Sequence, residues 1–175
     1  MTNGAIIISQ RLNLFPDPPP EIICMPQSLA QILLHIVFST KSRYKFLGDP
    51  DVRQQMHAYL TTVFRTYESP SLEVGGAADH IHALCSLSKT LSVAELIEDV
   101  KKASSKWIKT KGGLLTKFHW QSGYGAFSVS PSQVAAVRRY IQNQDQHHRR
   151  ITFQEEFRRI LKKHGVAYNE RYLWD

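Results

Sequence analysis

The order of apolar segments along the chain restricts its fold more than any other feature. Strands are expected where apolar residues cluster between turn-forming residues, and helices where apolar residues recur every three or four positions. These patterns predict four strands, at Leu29–Ser39, Leu72–Val74, Asp79–Leu87 and Tyr124–Ser130. They also predict one helix that begins near Asp49 and a second helix that follows Ser92 and ends at Gly112.

The predicted elements follow the order strand, helix, strand, strand, helix, strand. This is the split βαβ, or ferredoxin-like, arrangement. We therefore expect an α+β fold with a four-stranded antiparallel sheet and two helices on one face. Two further helices, from Ser130 to about His148 and over Phe153–His164, are predicted as C-terminal additions. The fold by itself does not decide the function.

The N-terminal segment differs from the rest of the chain. Its proline-rich stretch Asn13–Pro20 cannot continue a helix or a central strand. We expect residues 1–24 to form a disordered extension and residues 25–175 to form one domain, which is a usual size for a single domain.

The charge balance indicates a polyanionic partner. The chain contains 22 Lys and Arg against 15 Asp and Glu, which gives a formal net charge of +7. Nucleic acid is the commonest partner of such proteins, and the alternative is an ordinary solvated basic surface. Two cysteines cannot form a disulfide framework, which favours a reducing, cytoplasmic location. No apolar run is long enough to cross a bilayer, so no membrane association is expected.

Two histidines on the third predicted strand form the first candidate site. Because side chains alternate across a strand, His80 and His82 emerge on one face and Ile81 on the other. Two imidazoles at this spacing can bind one metal ion. The alternative is a pair of ordinary histidines on a half-exposed strand. Cys85 lies on the opposite face and is predicted to be a small core residue.

A tyrosine and a glutamine form the second candidate site. Tyr140 and Gln144 are four residues apart, so they share one face of the predicted helix. That face can present a phenol and an amide oxygen together. The alternative is a partly buried packing tyrosine beside a solvated glutamine.

Several motifs in this order resemble a known family. They are the opening segment Ser28–Arg43, the strand containing His80 and His82, the segment Tyr124–Ser130, the helix with Tyr140, Gln144, His147 and His148, and the closing Tyr172–Asp175. Over residues 25–175 the chain is similar to the single-tyrosine HUH transposases, the small transposases of the insertion sequence 200 class.

The resemblance implies a function and a set of site residues. Members of this family are DNA transposases that cleave and rejoin single-stranded DNA at element ends through a covalent 5′-phosphotyrosine. His80, His82 and Gln144 would bind Mg²⁺ or Mn²⁺, and Tyr140 would be the nucleophile. Imidazole ligands alone would favour zinc, iron, nickel or copper. Because the covalent intermediate conserves the bond energy, no nucleotide cofactor is expected.

The resemblance also implies partners. Members of this family recognise imperfect DNA hairpins and act as homodimers, in which the tyrosine helix of one subunit completes the site of the other. Two alternatives stay open: a non-catalytic relative that binds hairpin DNA or RNA, and an HUH replication or relaxation nuclease. The joint presence of His80, His82, Tyr140 and Gln144 argues against a mere binder.

Basic residues supply candidate DNA contacts. A single-stranded platform combines cations with aromatic side chains on which bases stack. The candidates are Lys41, Arg43, Tyr44 and Lys45 in the first loop, Lys102 and Lys106 on the second helix, and Arg138 and Arg139 beside Tyr140. The lysines near the end of their helix also suit the helix dipole, so a solvated face is the alternative. His147 and His148 are expected to hold a helix end or to contact phosphate.

Overall fold

A computed structural model describes residues 29–174, so the extension predicted over residues 1–24 lies outside the described residues. The strands are β1 (Leu33–Ser39), β2 (Ser71–Gly76), β3 (His80–Ser86) and β4 (Gly125–Ser128). The helices are α1 (Pro50–Thr66), α2 (Val93–Lys109), α3 (Val134–Gln142), α4 (Gln144–His147), α5 (Phe153–Lys163) and α6 (Glu170–Leu173).

The four strands form one antiparallel sheet in the order β2-β3-β1-β4. This order confirms the predicted α+β, ferredoxin-like fold. The register of the central pair runs from Leu33 opposite Ser86 to Ser39 opposite His80. β1 begins at Leu33 rather than at the predicted Leu29, because Leu29 and Ile32 are exposed and precede the paired register.

Helices α1 and α2 cover one face of the sheet. Ile36, Phe38 and Ile81 project from the strands into this core, where each is at most 2% exposed. Burying side chains of this size contributes about 1.5–3 kcal/mol each. Cys85 is buried in the same core, as predicted. Both helices are capped: the Asp49 side chain accepts from Asp51 N and Val52 N, and Ser92 forms a capping box with Glu95.

The C-terminal helices cover the opposite face of the sheet. Phe153, Phe157 and Leu161 of α5 pack with Val37 of β1 and Phe127 of β4. Because the strand pleat places His80 and His82 on this same face, the two histidines lie beneath the added helices.

The helix predicted from Ser130 to about His148 is divided in the structure. Residues Pro131–Gln133 form a 3₁₀ turn, and α3 and α4 are separated by Asn143. The Asn143 side chain donates to the Arg139 carbonyl at 2.8 Å and so competes with the helical backbone. Within residues 29–174, none of the helices combines the length and the hydropathy that a membrane span requires.

Candidate active site

His80 and His82 occupy neighbouring inward positions on β3, and neither side chain is exposed. His80 Nδ1 lies 2.7 Å from Asp79 Oδ1, so the ring donates to this carboxylate and turns Nε2 toward the site. Burial would raise the pKa of Asp79, but the hydrogen bond from His80 lowers it below its usual range. A carboxylate behind an imidazole orients it and increases its basicity as a metal ligand.

His35 contacts the side of the His82 ring that faces away from Glu156. His35 Nε2 of β1 lies 2.9 Å from His82 Nδ1, and both rings are buried. Burial lowers the pKa of His35 to about 3 and that of His82 to about 4. Both imidazoles are therefore neutral at neutral pH, and one ring donates to the other. When His82 donates through Nδ1, the lone pair of its Nε2 faces the site.

Tyr140 and Gln144 reach the same carboxylate in spite of the break between α3 and α4. Gln144 Nε2 donates to Glu156 Oε1 at 2.9 Å, and the Tyr140 hydroxyl donates to the same oxygen. Gln144 Oε1 lies 3.3 Å from His80 Nε2 and 2.9 Å from His148 Nε2. The structure thus brings together the four residues that the sequence singled out as nucleophile and metal ligands.

Glu156 of α5 lies at the centre of this arrangement and is 1% exposed. Its Oε2 atom is 3.0 Å from His148 Nε2 and 3.5 Å from His82 Nε2. Burial alone would raise the pKa of this carboxyl, but His148 and His82 hold it well below its usual range. Burial and the Glu156 carboxylate raise the pKa of the Tyr140 phenol above its ordinary value. The site therefore holds a neutral phenol next to a charged carboxylate.

The cluster has the donor set of a metal site. One ligand atom from each of His80, His82, His148 and Glu156 lies within 4.8 Å of all the others. Among the described residues, the buried His82 Nε2 atom has no hydrogen-bond partner, and Glu156 Oε2 accepts no hydrogen bond, although the His148 ring lies 3.0 Å from it. An unsatisfied buried polar group costs about 1–3 kcal/mol, and a bound cation would satisfy both atoms. The residues present therefore fit a divalent ion.

Sequence reasoning missed two residues of the site and underestimated a third. Glu156 was not a candidate, although it lies between Phe153 and Phe157 on the apolar face of an amphipathic helix. A carboxylate at a core-facing position was the available signal. His35 is likewise an ionisable residue at a buried position, inside an otherwise apolar strand. His148 was expected at a helix end or on phosphate. It is the C-cap residue of α4, and its ring also contacts Gln144 and Glu156.

The predicted DNA contacts lie at three separate places. Lys102 and Lys106 are exposed on α2, across the sheet from the histidines, and Lys102 pairs with Glu98. Tyr44 is exposed and packs on Phe46 in the loop after β1.

The other predicted contacts lie on that loop and on α3. Lys41 and Lys45 are exposed, and the Arg43 guanidinium lies 5.6 Å from the Trp174 ring centre. Arg138 is 3.4 Å from Glu73, and Arg139 is exposed. Their role in DNA binding stays a prediction.

Solved structures share this fold. A protein of Deinococcus radiodurans classed as a transposase aligns with a TM-score of 0.54 at 19% identity, over 69% of this chain and 95% of its own. A REP-associated tyrosine transposase bound to a REP hairpin aligns with a TM-score of 0.52 at 14% identity, over 71% of this chain and 73% of its own. No curated protein matches the sequence.

The family comparison covers most of the chain. The model of the family described as "Transposase IS200 like" matches residues 28–144, a range that contains β1 to β4 as well as His80, His82, Tyr140 and Gln144. The chain therefore belongs to the IS200-like transposase family.

Proposed function

We propose that this chain cleaves and rejoins single-stranded DNA through a covalent bond between Tyr140 and a 5′-phosphate. The observation that carries the proposal is the convergence of the Tyr140 phenol, two β3 histidines and the Glu156 carboxylate on one buried point. A protein that merely bound DNA would not need a nucleophile, a proton acceptor and a ligand cluster within contact of each other.

The residues of the chain account for the transfer step. The Tyr140 oxygen attacks phosphorus, a tyrosine O–P bond forms, and the bond from phosphorus to the 3′ oxygen breaks. As the O–P bond forms, the phenol oxygen becomes acidic, and its proton moves along the existing hydrogen bond to Glu156 Oε1. That proton passes from Glu156 to the departing 3′ oxygen, which leaves as a hydroxyl group. Attack on the phosphotyrosine by another 3′ hydroxyl group reverses these steps and rejoins the strands.

The metal would be held by His80 and His82, with Glu156 and with His148 or Gln144 completing the protein ligands. A divalent cation bound there would neutralise charge on the phosphate and would hold it for in-line attack by Tyr140. The family resemblance supports Mg²⁺ or Mn²⁺. The imidazole ligands by themselves favour zinc, iron, nickel or copper, whereas Mg²⁺ prefers oxygen ligands, so the proposal of Mg²⁺ or Mn²⁺ rests on the resemblance.

The partner is proposed to be hairpin-bearing single-stranded DNA. The net charge of +7 supports a nucleic-acid partner, and one protein with the same fold was solved bound to a REP hairpin. The resemblance implies a homodimer with shared sites. In this structure the Tyr140 hydroxyl donates a hydrogen bond to Glu156 of its own chain, which supports a site that one chain can complete.

Incubation with a labelled hairpin oligonucleotide in Mg²⁺ or Mn²⁺ tests the proposal. We expect a covalent protein–DNA adduct on a denaturing gel, and we expect EDTA and Tyr140→Phe to abolish it. Tyr124→Phe is the matched control, because Tyr124 is exposed just before β4. Among the described residues, the tyrosine hydroxyl that donates to Glu156 is that of Tyr140. Hairpin binding without an adduct in either metal would identify a non-catalytic binder instead.

A further inference from the structure

A cavity of about 720 Å³ opens beside the candidate nucleophile. It lies between α3, α5 and the end of β4, and its lining includes His35, Tyr140, His147 and Glu156. A volume of this size is within the range of about 300–1,000 Å³ that is typical of small-molecule sites. The cavity is therefore large enough for a nucleotide next to Tyr140.

This cavity gives a phosphate a route to the buried site from the side of Tyr140. His80, His82, Gln144 and Glu156 are each at most 1% exposed. Tyr140 is partly exposed and lines the cavity. A phosphodiester that Tyr140 attacks must reach the phenol oxygen, so the strand on at least one side of that phosphate passes through the cavity.

The lining of the cavity matches the two parts of a nucleotide. Val137 of α3 and Ile160 of α5 supply an apolar wall, against which a base can pack. Arg159 and Lys163 are exposed along the mouth, where they complement a phosphate. Enzymes that hold a base in a pocket take it from single-stranded substrate or extrude it from the duplex, so the cavity suits an unpaired base.

We propose that this cavity holds one unpaired DNA nucleotide adjoining the scissile phosphate. Its base packs against Val137 and Ile160, and a phosphate of the strand faces Arg159 and Lys163. The inference rests on the proposed strand-cleavage function and adds to it a subsite that recognises a single-stranded flank.

The first test fills the cavity. Ala136 lines it, whereas Ala135 is exposed on the same helix outside the lining. The probe is an oligonucleotide that carries a hairpin and a randomised single-stranded flank, and the readout is adduct formation in Mn²⁺. We expect Ala136→Trp to lower the adduct rate about tenfold or more, because displaced reacting groups lose large factors in rate. Ala135→Trp should match the wild type, and an unchanged rate in Ala136→Trp overturns the proposal.

A second pair of variants removes charge without adding bulk. Lys163 lines the cavity, whereas its neighbour Lys162 is exposed outside it. We expect Lys163→Ala to lower the adduct rate more than Lys162→Ala at low salt, with the difference shrinking as salt screens the phosphate contact. Equal rates for the two variants overturn the proposal, and this pair decides the outcome if both tryptophan variants fail to fold.

A third measurement asks whether a base occupies the cavity. Sequencing of the strands trapped as adduct gives the cleavage position, and abasic sites are then placed on either side of it. We expect one of the two abasic sites to slow the wild type and to have no added effect in Ala136→Trp. If neither slows the wild type, no base is held and the proposal is overturned. If the wild type forms no adduct with any probe, the strand-cleavage function itself fails.

Discussion

The carboxylate of Glu156 is buried where an unpaired charge would cost several kcal/mol. It is tolerated because His148 and His82 surround one oxygen, while Tyr140 and Gln144 donate to the other. One residue thus links the candidate nucleophile to the candidate metal ligands. Loss of its charge should affect proton transfer and metal binding together.

The variant Glu156→Gln tests this double role. We expect the Mn²⁺ affinity to fall about 10- to 100-fold, as it does when groups around a metal are removed, and adduct formation to fall with it. Titration calorimetry with Mn²⁺ and the adduct assay measure the two effects. Glu98→Gln is the control, because Glu98 is exposed on α2, across the sheet from the site. Unchanged metal affinity in Glu156→Gln would exclude Glu156 as a ligand.

The buried pair of His35 and His82 predicts how the stability of the metal-free protein depends on pH. Their pKa values fall from 6.5 to about 3 and about 4 on folding. Below pH 6.5 the unfolded chain therefore binds protons that the folded chain does not bind, so acid favours unfolding. We expect the free energy of unfolding to decrease from pH 6.5 down to about 4. Urea unfolding at pH 7, 6, 5 and 4 in EDTA measures it, and a constant value would contradict the prediction.

At the scale of elements, α5 places Glu156 over the sheet, and its start is fixed by a capping box between Thr152 and Glu155. Helix α2 has the same device at Ser92 and Glu95, on the far side of the sheet from the site. The two caps therefore form a matched pair, one above the site and one remote from it.

We expect Thr152→Ala and Ser92→Ala each to lower the free energy of unfolding by about 1 kcal/mol, since each removes a helix cap. Thr152→Ala should also weaken Mn²⁺ binding, because the turn that carries Glu156 loosens. Urea unfolding and calorimetry separate the two effects. Equal metal affinity in both variants would show that the cap of α5 does not position Glu156.

Helix α3 is positioned by a close approach to β2. A Cβ atom added at Gly75 would lie 2.7 Å from the Ile141 carbonyl oxygen, one residue after Tyr140. Gly75→Ala should push α3 from the sheet, cost about 1–3 kcal/mol in unfolding free energy and slow adduct formation. Gly123→Ala is the control, because its nearest contact would be a side-chain atom at 3.8 Å. Wild-type adduct rates in Gly75→Ala would refute this positioning.

Across the whole molecule, the features that could be predicted from the sequence are those that depend on the spacing of neighbouring residues. Alternation along β3 placed His80 and His82 on one face, and apolar periodicity gave the order of strands that the sheet confirms. Glu156 was not predicted as a site residue because its role depends on where α5 packs. That position is decided by contacts of Phe153 and Phe157 with β1 and β4. Such long-range contacts leave no spacing in the sequence that links Glu156 to His80 and His82, which lie 76 and 74 residues earlier.

Within one chain, Tyr140 lies close to the residues that would bind the metal. Tyr140 donates to Glu156 of its own chain, and its ring lies 5.8 Å from the His82 ring. We therefore expect one chain to supply both nucleophile and ligands, in contrast to the shared sites that the family resemblance implied. Co-expression of Tyr140→Phe with His82→Ala tests this, since mixed dimers can then form.

In that mixture we expect no more adduct than either variant gives alone. Each chain retains one half of the machinery, and a site built within one chain cannot combine the two halves. Co-expression of each variant with the wild type is the control, and it should give the adduct expected for the wild-type fraction. Circular dichroism of His82→Ala verifies that the variant is folded. Adduct on the His82→Ala chain in the mixture would demonstrate a site shared between two subunits, with Tyr140 acting on a phosphate held by the histidines of the other chain.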